Sequence, residues 1–195
     1  PWATMAGKMR LSALIIEGMP ADKNVWWGIH LTWDAAAGQP RAEFFDATEY
    51  VGKDLFEVFP RVYERFGKKV SIAGCGVSGE FGYGNAGIVF NDLQTGSPNR
   101  YAGRGGLGSV LGSKRVKFLV IDDHGAPGIE IADKPLFDQG RQKMIDALRT
   151  HAITKPKGGL NSFGTAVLVN ILNEAGGLPT RNFSSGRFEG AAQIA

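Results

Sequence analysis

The chain has 195 residues, and its 22 Lys+Arg against 19 Asp+Glu leave a formal net charge of +3. That small excess is spread along the chain, which excludes the clustered basic face of a nucleic-acid binder, and a 43% hydrophobic content excludes intrinsic disorder. The single cysteine, Cys75, excludes an intrachain disulfide framework and an iron–sulfur cluster held by this chain's thiolates alone.

No run approaches the ~18 apolar residues of a membrane span. Pro1–Lys8 lacks the basic end and apolar stretch of a signal peptide. The expected setting is therefore soluble and cytoplasmic, with no membrane partner. Pro1 in first position suggests a piece of something longer.

In chain order, Leu11–Glu17 is apolar and β-branched and reads as a buried strand closed by Gly18. Val25–Trp33 alternates and reads as a second strand. A turn at Gly38-Gln39-Pro40 leads to a partner strand over Arg41–Phe45. Lys53–Phe66 has helical period through Leu55, Phe56, Phe59, Val62, Tyr63 and Phe66, with Pro60 predicting a kink or two short helices. Val70–Ala73 reads as a strand, Gly74–Gly87 as irregular, and Ile88–Phe90 as a short strand. Arg104–Ser113 can open a short helix before a buried strand at Val116–Ile121, where Lys117 reads as a solvated position. After a linker over Asp122–Ile131, Asp133-Lys134-Pro135 signals a helix start, with an apolar face of Leu136, Met144, Ile145 and Leu148. A loop over Lys155–Gly159 and a helix over Ser162–Glu174 complete the series. The pattern predicts an α+β fold: a mainly antiparallel sheet over residues 1–130, then a helical segment over 131–195.

The sharpest local signal is Arg100-Tyr101-Ala102-Gly103-Arg104-Gly105-Gly106-Leu107-Gly108. Four glycines in six positions let backbone approach a ligand closely. Arg100 and Arg104 offer the planar donors suited to phosphate, and a helix N-terminus after the loop would add oriented N–H groups. The pattern is neither a Walker loop nor a dinucleotide fingerprint. A plain glycine turn with two solvated arginines is the competing reading.

Other candidates are weaker. Cys75, flanked by glycines, reads as a buried small hydrophobe rather than a nucleophile. His30, His124 and His151 lack metal-ligand spacing. Trp26, Trp27 and Trp33 read as core or sheet-face residues, and Asp122-Asp123 as a solvated turn.

Three stretches together resemble the aldehyde ferredoxin oxidoreductase family, whose members use a tungsten or molybdenum bis-pyranopterin cofactor. The first is Arg100–Lys114, which is similar to the family's Arg-Ala-Ala-Gly-Arg-Gly-Gly signature. The second is Gly158-Gly159-Leu160 with Phe163–Asn170. The third is Leu178–Phe183 with Gly186. Fainter similarity extends upstream, through Ile15–Gly18 and Gly79-Glu80. The resemblance implies that residues 1–130 are part of the N-terminal cofactor-binding domain and that residues 131–195 begin the helical domain. It implies cofactor contacts at Arg100, Tyr101, Gly103, Arg104, Gly105 and Gly106. It also implies that the Tyr101 backbone carbonyl is a ligand of an Mg²⁺ bridging the pterin phosphates, in keeping with that ion's preference for oxygen ligands shared with phosphate.

By the same resemblance the parent reaction is oxidation of an aldehyde to a carboxylic acid. Electrons would pass from metal–pterin through a [4Fe–4S] cluster to ferredoxin or another acceptor. This chain would supply phosphate grip and no catalytic group. The departures matter too: the family's cluster cysteines would begin downstream of Phe183 and are absent here, and Leu93–Asn99 looks inserted. The alternative is a non-catalytic binding or interaction domain that retains the fold. A homo-oligomer is left open, as are the aldehyde and the metal.

Overall fold

Most of the apolar runs in the first two thirds of the chain become strands of one six-stranded sheet. The computed structural model describes residues 1–195, which form two units, Pro1–Glu130 and Ile131–Ala195.

The first unit opens with helix α1 (Trp2–Lys8), which the sequence reading did not anticipate. Its signal is Trp2, Met5, Ala6 and Met9 at helical spacing: Met5 and Met9 are buried, and Trp2 and Ala6 pack against the same core. Leu11–Glu17, expected as a buried strand, is not one. Leu11 and Ile16 lie against the core, whereas Ile15 is 80% exposed. A strand needs a ladder partner, and this segment pairs with none of the six strands.

Strands β1 (Trp27–Asp34) and β2 (Gln39–Asp46) form the expected antiparallel hairpin. The Asp34 carboxylate accepts from the Ala36 and Ala37 N–H groups to set its turn. After a short 3₁₀ turn at Thr48–Tyr50, Asp54 caps α2 (Leu55–Phe66), accepting from the Glu57 N–H at 3.0 Å. Of the two outcomes expected at Pro60, a kink or two short helices, the second is not found: one helix runs through it. Its ring faces solvent, while Val58, Phe59 and Val62 on either side are fully buried and hold both halves to the sheet.

Then come β3 (Ser71–Cys75), a short α3 (Val77–Glu80) inside the stretch expected to be irregular, and β4 (Ile88–Asn91). They are followed by β5 (Pro98–Ala102), α4 (Leu107–Ser113) and β6 (Val116–Ile121). The sheet order is β2-β1-β6-β3-β4-β5. Only β1–β6 is parallel; the other four pairings are antiparallel. The fold class is therefore the expected α+β, with one parallel pairing in the centre. Each sheet face carries a core: Ile29, Leu31, Leu119 and Ile121 with α1 on one, and Phe118, Val120 and Ile72 with α2 on the other.

In the second unit, Asp133 caps α5 (Lys134–Thr150), accepting from the Leu136 N–H at 2.9 Å. The apolar face read for α5 is not buried: Leu136 and Met144 are 64% and 60% exposed. The single helix expected over Ser162–Glu174 is instead α6 (Gly159–Phe163), a 3₁₀ stretch over Gly164–Leu168, and α7 (Val169–Glu174). Gly164, at φ 60° and ψ −148°, breaks it. A final turn, α8 (Ala191–Ile194), follows.

Candidate functional site

The glycine–arginine segment begins one element earlier than a loop reading suggests. Arg100 and Tyr101 lie on β5, an edge strand of the sheet. Pro98 starts it, as proline is tolerated at an edge. The chain then turns through Gly103–Gly106 and enters α4. Gly105 and Gly106 have φ 77° and 67°, where a side chain would be strained.

This turn is seated by backbone-on-backbone packing. A Cβ on Gly106 would come 2.4 Å from the Gly84 carbonyl oxygen, and one on Gly108 would come 2.3 Å from that of Gly87. The Gly108 N–H donates to the Ala86 carbonyl at 2.8 Å. Below it, a Cβ on Gly112 would meet the Gly79 oxygen at 2.1 Å, so α4 rests directly on α3. The glycines of Gly74–Gly87 and of the signature are thus two sides of one contact, which the sequence reading did not join.

The backbone N–H groups of Gly103, Arg104, Gly105 and Gly106 donate to nothing within the chain. Arg104 is exposed and has no ion-pair partner. Three of these donors sit on the exposed residues Gly103, Arg104 and Gly105, beside one free guanidinium, whereas Gly106 is buried against Gly84. The helix contributes less than expected. It has seven residues, the Gly108 N–H is taken by Ala86, and the Ser109 N–H bonds the Gly106 carbonyl at 3.0 Å.

Arg100 is not free. Its Nε donates to Asp92 Oδ2 at 2.8 Å, and Nη2 lies 2.6 Å from the same oxygen in an ion pair. Asp92 is buried and also accepts from the Gln94 and Thr95 N–H groups, at 2.7 and 3.3 Å. The Gln94 N–H, then Arg100, holds this carboxyl below the usual carboxylate range. Its partner in sequence, Asn91, is buried and bonds Ser71, Ile72, Tyr63 and Val70. The Asn91-Asp92 pair thus fixes the root of the hairpin that aims Arg100. The Tyr101 side chain is 64% exposed, and its hydroxyl donates to the Pro98 carbonyl at 3.1 Å.

The weaker candidates do not gather here. Cys75 is fully buried, and burial pushes its thiol up to about 11. His30 packs on Phe66 with ring centroids 4.6 Å apart, its Nε2 is buried without a partner, and burial lowers its pKa. His124 and His151 are exposed. No group of His, Cys, Asp and Glu side chains is arranged to hold a metal ion. Trp26 is buried and Trp33 packs on the core. Asp123 is not a solvated turn residue: Lys8 pairs with it at 2.6 Å.

Lys117 corrects the sequence reading most. It is fully buried and forms an ion pair with Glu80. The β1–β6 register passes from Trp27↔Val116 to Gly28↔Phe118, so Lys117 is the extra residue of a β-bulge. Both faces of the sheet are covered at β6 and every residue of the strand is buried, so alternation offers Lys117 no wet side.

The family model "Aldehyde ferredoxin oxidoreductase, N-terminal domain" matches residues 1–123, and "Aldehyde ferredoxin oxidoreductase, domains 2 & 3" matches residues 140–195. The tungsten-containing aldehyde ferredoxin oxidoreductase of Pyrococcus abyssi is 39% identical over 91% of this chain and 26% of its own length. That of Pyrococcus horikoshii is 38% identical over the same shares, and that of Thermococcus kodakarensis 37% identical over 92% and 27%. The chain spans about a quarter of the length of these curated relatives. Among solved structures, the active site complex BamBC of benzoyl coenzyme A reductase with 1,5-dienoyl-CoA aligns with TM-score 0.56 at 20% identity. That alignment covers 68% of this chain and 18% of the other, a likeness of fold alone.

Proposed function

This chain belongs to the aldehyde ferredoxin oxidoreductase family, and we propose that its Arg100–Gly106 segment grips the phosphates of a tungsten bis-pyranopterin cofactor in a longer oxidoreductase. The observation that carries the reading is the set of unspent N–H groups at the exposed Gly103, Arg104 and Gly105 beside the unpaired Arg104 guanidinium. Phosphate oxygens are strong acceptors, and a turn without side chains lets them reach the backbone.

The residues present fit such a group. Arg104 supplies a bidentate fork. Arg100 spends Nε and Nη2 on Asp92 and keeps its remaining N–H groups for a second oxygen. Gly105 and Gly106 take left-handed conformations that only glycine adopts without strain. The Tyr101 carbonyl is the proposed Mg²⁺ ligand; a backbone oxygen serves that ion whatever the side chain.

When bound, the cofactor supplies the two-electron oxidation of an aldehyde and water to a carboxylic acid and two protons. The chain's own part is to bind and orient it. Electron transfer through a [4Fe–4S] cluster to ferredoxin, and tungsten rather than molybdenum as the metal, belong to the same proposal. Both rest on the names of the relatives and on the resemblance.

The test is an NMR titration of the 195-residue chain with inorganic phosphate and Mg²⁺, followed at the Gly103–Gly106 amides. Those four signals are expected to shift saturably. A charged hydrogen bond contributes roughly 1.5–3 kcal/mol, so Arg104→Ala should weaken binding about tenfold or more. Lys143→Ala, an exposed position on α5, should leave it unchanged. Equal affinities for the two variants would reduce the segment to a turn.

A further inference from the structure

A buried ion pair sits behind the glycine turn with no part in the reading above. Glu80 ends α3 and is nearly inaccessible, its side chain 6% exposed, and Lys117 is enclosed in the β6 bulge. Glu80 Oε1 meets the Lys117 ammonium, and Oε2 accepts from the Gly52 N–H at 2.9 Å. Lys117 Nζ also donates to the Lys53 carbonyl at 3.1 Å. The pair therefore ties three elements together: the central strand β6, the turn that leads into α2, and the end of α3.

We propose that Lys117 and Glu80 are positioning residues for the phosphate-gripping turn, an inference that rests on the phosphate reading. The transmission path is short and made of backbone. Gly79, next to Glu80, has its Cα against the α4 backbone: a Cβ there would lie 2.6 Å from the Gly108 oxygen. Gly108 is two residues beyond Gly106, and its N–H is held by Ala86. A contact without side chains cannot absorb a shift by changing rotamer. A displacement of α3 therefore passes to α4 and to the amides of Gly103–Gly106.

The pair is suited to this task because its hydrogen bonds to the Gly52 N–H and the Lys53 carbonyl are directional. An apolar pair of similar volume can fill the same space with no loss of stability. It has no hydrogen bond to the Gly52 N–H or the Lys53 carbonyl, and so leaves α3 free to slide. The pair therefore fixes placement rather than adding stability. Cys75 lies in the same layer, its Sγ 3.3 Å from the Gly108 oxygen, and closes off the remaining space.

The experiment compares the unmodified chain with Glu80→Gln, Lys117→Met and the paired Lys117→Met/Glu80→Leu. The first readout is ligand-free hydrogen exchange at the Gly108 amide, whose bond to Ala86 reports the seating of the turn. It should quicken at least tenfold in Glu80→Gln and in the paired variant, while the Ile29 and Leu31 amides of β1 keep their rates. The second readout is the phosphate titration, where affinity should fall at least fivefold in both.

The paired variant should melt within a few degrees of the unmodified chain. It tests the proposal even if Lys117→Met alone fails to fold. Unchanged Gly108 exchange, or a quickening shared equally by β1, would overturn the positioning role. An unmodified chain that ignores phosphate would overturn the phosphate reading instead, with the exchange result still deciding whether the pair seats the turn.

Discussion

The single S–H of Cys75 has the carbonyls of Gly76 and Gly108 within reach, at 3.4 and 3.3 Å from Sγ, and the residue has no exposed surface. Burial raises its pKa from 9.0 to about 11, so at pH 8 its thiolate fraction is about a hundredfold below that of an ordinary cysteine. Iodoacetamide at pH 8 is therefore expected to leave native chain unmodified over hours and to label it at once in denaturant, as read by intact mass. The sign of the pH effect follows: the thiol ionises first in the unfolded chain, so this group's contribution to stability is intact below pH 9 and is lost as pH rises through about 11. The inert reading of Cys75 was legible, because a small residue between glycines in a strand pattern has little else to be. Lys117 was not, because a charged residue in an apolar strand normally marks the wet face. Here both faces of β6 are covered, so the strand has no wet side for Lys117 to take.

Elements with strong local signals came through. Asp133 does cap α5, the helix read over Lys53–Phe66 is α2, and Val116–Ile121 is a strand buried along its whole length. Those that failed depend on what lies opposite. Leu11–Glu17 has strand composition but no strand to pair with, and Ser162–Glu174 has helical period but a glycine at φ 60°. The α3–α4 contact was also illegible, since glycines in two separate stretches give no hint that they face each other. It makes a sharp expectation. Gly112→Ala places a methyl 2.1 Å from the Gly79 oxygen, and overpacking of this kind costs about 1–3 kcal/mol. Gly140→Ala, in α5 with open space around its Cβ, should instead stabilise by about 0.5–1 kcal/mol. Thermal unfolding of the two variants should show melting temperatures moved in opposite directions. A loss for Gly140→Ala as large as that for Gly112→Ala would mean that glycine substitution, not the α3–α4 contact, sets the cost.

At the scale of the molecule, the first unit carries a complete sheet with a core on each face, whereas α5 has no buried residue and carries Leu136, Met144 and Leu148 exposed. The proposed phosphate grip draws on the N–H groups, the left-handed glycines and Arg104, all of which belong to residues 100–108. The proposed parent reaction, with its proposed cluster, asks for more. A [4Fe–4S] cluster takes four thiolates, and the chain has one, fully enclosed. No carboxylate or imidazole group is gathered for a metal, and the relatives named for the aldehyde reaction are about four times longer than the stretch this chain matches. Binding and turnover should therefore separate. The purified 195-residue chain is expected to show the phosphate-induced amide shifts yet no aldehyde oxidation. The assay is aldehyde-dependent reduction of a viologen dye, with tungsten and pterin cofactor supplied. Turnover above a no-protein blank that survives repurification and is abolished by Arg104→Ala would place catalytic groups within these 195 residues and overturn the division of labour.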